Sequence, residues 1–202
     1  MSHQRLRIAA VCFLVLFATP LFLLADEKPK VNSPERGTDL GNYVPTTTTW
    51  VVLSPTLAKF NGRNTCLAGI YRKEKTISIY AQTEEKNVWD LLHAIDRTLK
   101  DHPEIKAYIV ISKSLRDNRG SNVSGQRFRE TQELAKTHDF KHLDVSLCRS
   151  PSKFLFNENT LVKFVYSEQR IVKLSKKFPK TDQALKELPA LIAEVVKLAA
   201  AK

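Results

Sequence analysis

Glycine and cysteine are scarce in this 202-residue chain, and motifs that would assign it a common chemistry are missing. Its six glycines form neither a P-loop nor a dinucleotide fingerprint, the two turns that cradle phosphates with backbone N–H groups. Ser114, Ser121 and Ser124 lack a G-x-S-x-G context, which excludes a nucleophile elbow there. No segment repeats, which excludes solenoids and propellers. Of the three cysteines, Cys12 lies deep inside an apolar N-terminal run and follows Val11, a poor setting for lipid attachment. Only Cys66 and Cys148 remain, too few for a disulfide scaffold. The chain must therefore fold on an apolar core, and its length suits one domain with such a core.

The N-terminus decides the redox compartment. "MSHQRLR" is short and basic, "IAAVCFLVLFATPLFLLA" (Ile8–Ala25) carries no charge, and "DEKPK" follows. That order is the n-region, h-region and exit of a secretory signal, with cleavage expected after Ala25. Uncleaved, the same run is nearly long enough to anchor the chain in a bilayer. Export would bring Cys66 and Cys148 into an oxidising environment, where pairing is permitted.

The formal net charge is +11, yet the lysines are scattered and no arginine–aromatic stripe accompanies them. This excludes a recognisable nucleic-acid interface and leaves a basic surface facing anionic envelope material. Residues 26–48 are polar, with Pro29, Pro34, Pro45 and a TTTT run, and read as a loosely held arm. A domain spanning 49–202 follows.

Within it, "TWVVL" is a short β-type run and "TISIYA" an alternating strand. "NVWDLLHAIDRTLKDHP" places Val88, Leu91, Leu92, Ile95 and Leu99 on one helical face, with Trp89 beside them. Asn87 is the expected N-cap, with Asp90 at N3 and Pro103 beyond the end. "AYIVIS" is the continuous apolar run of a buried parallel strand, which completes a βαβ unit with a right-handed crossover. The polar stretch over 113–126 is long for a connection in a compact domain, and reads as a functional or mobile loop. "RFRETQELAKTHDF" predicts a helix with Phe128, Leu134 and Ala135 inward. "LDVSL", "LVKFVY" and "IVKL" are strands, the last two joined by a "SEQR" hairpin loop. In the final helix Leu185, Leu188, Ile192, Val195 and Ala199 mark the buried face, and Pro189 should kink the helix or start a second one. The order β-α-β-α-β-β-β-α predicts an α/β fold with helices on both faces of a mixed sheet.

"KFLFNENTLVKFVYSEQRIVK" (Lys153–Lys173) resembles the second half of a thioredoxin, with Lys153, Phe154, Thr160, Leu161 and Phe164 in register. The chain also resembles small exported thioredoxin-like proteins of planctomycete-type bacteria, which carry a C-x-x-C before the first core strand and end in an "LP" helix. Cys66 with Gly69, the strand from Ile77, and Leu188 with Pro189 match those features, over roughly Ser54 to Leu198. The resemblance implies a three-layer α/β/α sandwich whose core strand order is 4-3-1-2. It also shows what this chain lacks. A thioredoxin places its redox C-x-x-C after the first core strand, where helix N–H groups stabilise a thiolate. The equivalent "AQTEEKN" has no cysteine, and its Glu84 and Glu85 disfavour a thiolate. Asn159 stands where the family has a cis-proline, and a non-proline cis bond costs about 3 kcal/mol, so Asn159 is expected trans. In the peroxiredoxin pattern T-x-x-C, "TEEK" puts Lys86 at the reactive position.

Cys66 is then either a partly buried structural cysteine or a reactive thiol, alone or with Cys148. A lone thiol cannot close the intramolecular disulfide of a dithiol cycle. His138 and His142, in "HDFKH", have the H-x-x-x-H spacing that can hold zinc, although a helix C-terminus accommodates a histidine without metal. Glu84 and Glu85 are either an acid–base pair or solvated neighbours. No cofactor is implied. The expected function is that of an exported thioredoxin-fold protein without a working dithiol, acting as a binding or structural domain in the envelope. The alternative is a degenerate thiol-disulfide oxidoreductase or peroxiredoxin-like protein using Cys66 alone or with Cys148. The expected partner is an envelope protein or anionic surface, with membrane attachment only through an uncleaved 8–25.

Overall fold

Alternating β-branched residues set the centre of a seven-stranded sheet. The computed structural model describes Val44 and residues 48–82, 84–112, 124–148 and 160–201, all within one compact unit running from Asn32 to Lys202. The strands are β1 (Thr49–Leu53), β2 (Asn64–Thr65), β3 (Lys75–Ala81), β4 (Ile105–Ser112), β5 (Leu143–Cys148), β6 (Val162–Glu168) and β7 (Ile171–Phe178). The helices are α1 (Leu67–Ile70), α2 (Lys86–Leu99), α3 (Ser124–His138) and α4 (Thr181–Ala200). The sheet order is β2-β1-β5-β4-β3-β6-β7. Strands β3, β4 and β5 are mutually parallel, while β1 and β6 run antiparallel to their neighbours. The series β7-β6-β3-β4 is the expected 4-3-1-2 core.

The pleat separates two apolar layers. Ile77, Ile79, Ile109, Val145 and Leu147 face α2, α3 and α4. Tyr80, Tyr108, Val110, Val165 and Cys148 face the opposite side, under Leu67, Ala68 and Tyr71 from the α1 region. Val88, Trp89, Leu91, Leu92, Ile95 and Leu99 are all buried on α2, as their spacing predicts. Burying one such aliphatic side chain contributes about 1.5–3 kcal/mol.

Several local expectations change. Helix α2 begins at Lys86, and its N-cap is Glu85 without a side-chain cap. The Asn87 amide instead donates to Asp182 at the start of α4, so it ties two helices together rather than closing its own. On α3 the fully buried positions are Thr131 and Ala135, with Phe128 and Leu134 half-buried against the core. On α4 the buried line is Ala184, Leu188, Leu191, Val195 and Ala199. Leu188, Val195 and Ala199 are buried as predicted, while Leu185 and Ile192 lie on the flank and Ala184 and Leu191 take their places in the stripe. Helix α4 runs through Pro189 without restarting. Pro189 is exposed, and its ring removes the donor to the Leu185 carbonyl. The hairpin turn is shorter than "SEQR": Ser167 and Glu168 belong to β6, and Gln169 and Arg170 alone make the turn, both with positive φ. Of the arm, Val44 is buried and is held by reciprocal backbone and guanidinium bonds to Arg170. The 8–25 run, Lys153–Asn159 with the Asn159 peptide, and 113–123 of the polar loop lie outside the described residues.

Candidate functional site at the C-terminal strand ends

In α/β sheets, ligands and reactive groups gather at the carboxyl ends of the parallel strands. Here that end carries Ala81, Ser112 and Cys148. The segment from β3 to α2, where a thioredoxin keeps its dithiol, holds Glu84 and Glu85. Both are used as struts. The Glu84 carboxylate accepts a 2.6 Å hydrogen bond from Thr131 Oγ1 on α3, and its carbonyl accepts one from Trp89 Nε1 at 3.2 Å. The Glu85 carboxylate accepts a 3.5 Å bond from Thr181 Oγ1 at the first residue of α4. The two acids diverge toward different helices, so their side chains do not form a paired acid–base site. Lys86, at the peroxiredoxin-type cysteine position, is exposed and pairs with Asp90 at 2.6 Å, the i,i+4 spacing.

Cys66 is the N-cap of α1, with an extended backbone (φ −104°, ψ 100°). Its thiol accepts from Gly69 N–H at 3.3 Å. A Cβ added at Gly69 would stand 3.6 Å from Cys66 Cβ and 3.4 Å from Cys66 Sγ. Paired Cβ atoms in disulfides lie about 3.5–4.5 Å apart. The turn therefore has the Cβ spacing that a disulfide between positions 66 and 69 would need. Cys66 is partly buried and Cys148 fully buried, and no disulfide joins them. Both belong to the apolar layer that contains Tyr80 and Tyr108. Burial pushes the phenols of Tyr80 and Tyr108 up, which keeps them protonated beside the sulfur.

The predicted histidine pair is not what α3 presents. The helix ends at His138, and Asp139 takes φ 48°, which turns the chain before His142. His142 is held through its backbone N–H, which donates to Asp96 Oδ1 at 2.7 Å. The imidazole of His138 instead meets His93 of α2, Nδ1 to Nε2 at 2.8 Å. It stacks on Trp89 with 4.5 Å between ring centroids. Burial first, then His93, lowers the pKa of His138. Among the described residues no three histidine, cysteine or acidic side chains gather as a metal site.

One buried constellation was not legible in the sequence. Asp144 of β5 is fully buried. It accepts from Ser54 Oγ at 2.6 Å, from Thr56 Oγ1 at 3.0 and 3.1 Å, and from Tyr71. Burial raises the pKa of Asp144, and the hydroxyl donors oppose that rise. The signal that could have revealed it is an acid within the apolar run "LDVSL", since a charge in a strand buried on both faces requires donors.

No protein-family model matches the chain, and no curated protein matches it. Solved structures do. A Bacteroides thetaiotaomicron protein described as a candidate protein disulfide isomerase superposes with TM-score 0.50 at 10% identity, covering 77% of this chain and 89% of its own. Thiol peroxidase from Chromobacterium violaceum reaches 0.45 at 14% identity over 80% of this chain and 87% of that one. A candidate thiol:disulfide interchange protein DsbE from Chlorobium tepidum also reaches 0.45, at 11% identity over 80% and 99%. Identities this low speak of fold alone. With the observed sheet order and helix placement, the Bacteroides structure gives the conclusion that this chain has a thioredoxin-like α/β fold.

Proposed function

We propose that this is an exported thioredoxin-fold protein that works as a binding or structural domain of the cell envelope without dithiol chemistry. The observation that carries the proposal is the use of Glu84 and Glu85. The segment that would hold a dithiol carries two acids engaged with Thr131 and Thr181, where a thiolate would be disfavoured by their charge. The C-x-x-C-like turn offers Cys66 a glycine in place of a resolving thiol, and without one a mixed disulfide accumulates. The apolar run 8–25 supports export. Among the described residues no helix is long and apolar enough to cross a membrane. The partner is an envelope protein or an anionic surface.

The test is dithiol-driven reduction of a disulfide-bonded protein by the full chain, by Cys66→Ser and by Cys148→Ser. The expected rate for all three is the uncatalysed one. Robust wild-type turnover abolished by either substitution would overturn the reading.

A second reading has an observation of its own. Gly69 N–H donates to the Cys66 thiol, and Cys148 lies in the same apolar layer. On this reading the Cys66 thiolate, alone or with Cys148, attacks a partner's disulfide, forming a mixed disulfide with one sulfur and releasing the other as a thiol. Trapping such an adduct on wild type but not on Cys66→Ser would favour it.

A further inference from the structure

At the opposite pole of the sheet, a cleft of about 270 Å³ is lined by Lys73, Glu74, Lys75, Glu168, Gln169, Ile171 and Lys173. Lys75, Glu168 and Ile171 lie side by side in register across three strands. Lys75 is committed to structure, because its ammonium donates to the Ala199 carbonyl at the end of α4. Glu168 is committed to Tyr166, which donates to it at 2.7 Å. Lys73 and Lys173 are different. Both are exposed, and among the described residues no hydrogen bond or ion pair engages either ammonium group.

Two backbone features shape the rim. The Gln169–Arg170 turn places two non-glycine residues at φ 50° and 69°, a conformation that costs free energy at each. Next to it, the β6–β7 register shifts between Tyr166 and Ser167, so that Lys173 is the extra residue of a bulge. A bulge re-aims the side chain at its position. Ile171, 39% exposed, is the one large apolar side chain that the described surface leaves open.

We propose that this cleft docks an acidic peptide segment of a partner protein, with a carboxylate between Lys73 and Lys173 and a neighbouring aliphatic side chain on Ile171. Three lysines against Glu74 and Glu168 leave the lining net positive, and the two lysines without partners favour an anionic occupant. A second copy pairing along β7 would bring two lysine-rich edges together; Lys176 is offset by Glu187 at 3.2 Å, but Lys173 is not, and like charges across a strand pair repel. The bulge further spoils β7 as a pairing edge. An acidic segment docking through side chains meets neither obstacle. The inference deepens the reading of the chain as a binding domain, and the two fail separately. Disulfide turnover would sink that reading whatever the cleft binds, whereas the measurement below addresses the cleft alone.

The probe is a fluorescent, acetylated and amidated peptide of alternating Glu and Leu, titrated with the full chain in an anisotropy assay. Its Gln/Leu counterpart serves as control. Wild type should bind the Glu peptide, more weakly as salt rises, and should not bind the Gln peptide. The double variant Lys73→Glu/Lys173→Glu and the single Ile171→Ser should each weaken binding about tenfold or more. Lys136→Glu/Lys180→Glu makes the same charge change on exposed sites away from the cleft, and should alter binding by less than about twofold. The proposal is overturned by equal losses in both charge variants, by no binding of the Glu peptide, by self-association through β7, or by preferential binding to phosphatidylglycerol vesicles.

Discussion

The thiol of Cys66 and the backbone N–H of Gly69 face each other at 3.3 Å across the first turn of α1. The hydrogen bond fixes the sulfur over the one position in the turn where a second sulfur could reach it. Gly69→Cys should therefore form a 66–69 disulfide on mild oxidation. Intact mass with and without reductant, and peptide mapping of the bridge, are the measurements. A Gly69→Cys protein that keeps two alkylatable thiols at 66 and 69 under those conditions would show that the turn cannot close.

Asp144 makes stability depend on pH in a defined direction. Its folded pKa is raised by burial above the ordinary 3.8, so between that value and the folded one the native state holds more of this proton than the unfolded chain. Stability from this group thus falls as pH rises through that window. The difference between wild type and Asp144→Asn, followed by urea unfolding, should change in wild type's favour on acidification. Asp144→Ala should cost about 1–3 kcal/mol, because it orphans buried hydroxyl donors. A pH-independent difference would refute the linkage.

His138 works in the opposite sense. Its folded pKa is lowered from 6.5, by burial and then by His93, so the unfolded chain takes up its proton first on acidification. Its contribution to stability is present above 6.5 and is lost as pH falls below that value toward the folded pKa. His138→Phe keeps a ring against Trp89 and removes the titration. Thermal unfolding of this variant should show a flatter profile than wild type between pH 7 and the acid limb; parallel profiles would count against the assignment.

Core truncations should rank by the observed face of α4. Leu191→Ala, Leu92→Ala and Ile95→Ala remove buried side chains and should cost about 2–5 kcal/mol each. Ile192→Ala should cost less than Leu191→Ala, since Ile192 lies on the flank of the stripe. The reverse order in chemical denaturation would restore the face predicted from spacing alone.

The sequence by itself determined the element order from β3 to α4, the buried face of α2 and the mixed sheet, because strand alternation and helical periodicity are local records of which side meets the core. It also placed Glu84 and Glu85 in the connection between β3 and α2. What it could not determine are relations between residues far apart in the chain. On α4 the predicted Leu188, Val195 and Ala199 are buried, but Ala184 and Leu191 replace Leu185 and Ile192 in the stripe, because all four are apolar and packing against α2 and the sheet selects between them. Asn87 reads as a cap from its neighbours, yet its amide reaches Asp182, ninety-five positions away. His138 reads with His142 four residues on, yet it meets His93, because the turn at Asp139 ends the helix that would have aligned them. Asp144 reads as an anomaly in an apolar strand until Ser54, Thr56 and Tyr71 converge on it. Burial and hydrogen bonding are satisfied by whatever the fold brings near, and chain proximity records only the part of that which lies within a few turns.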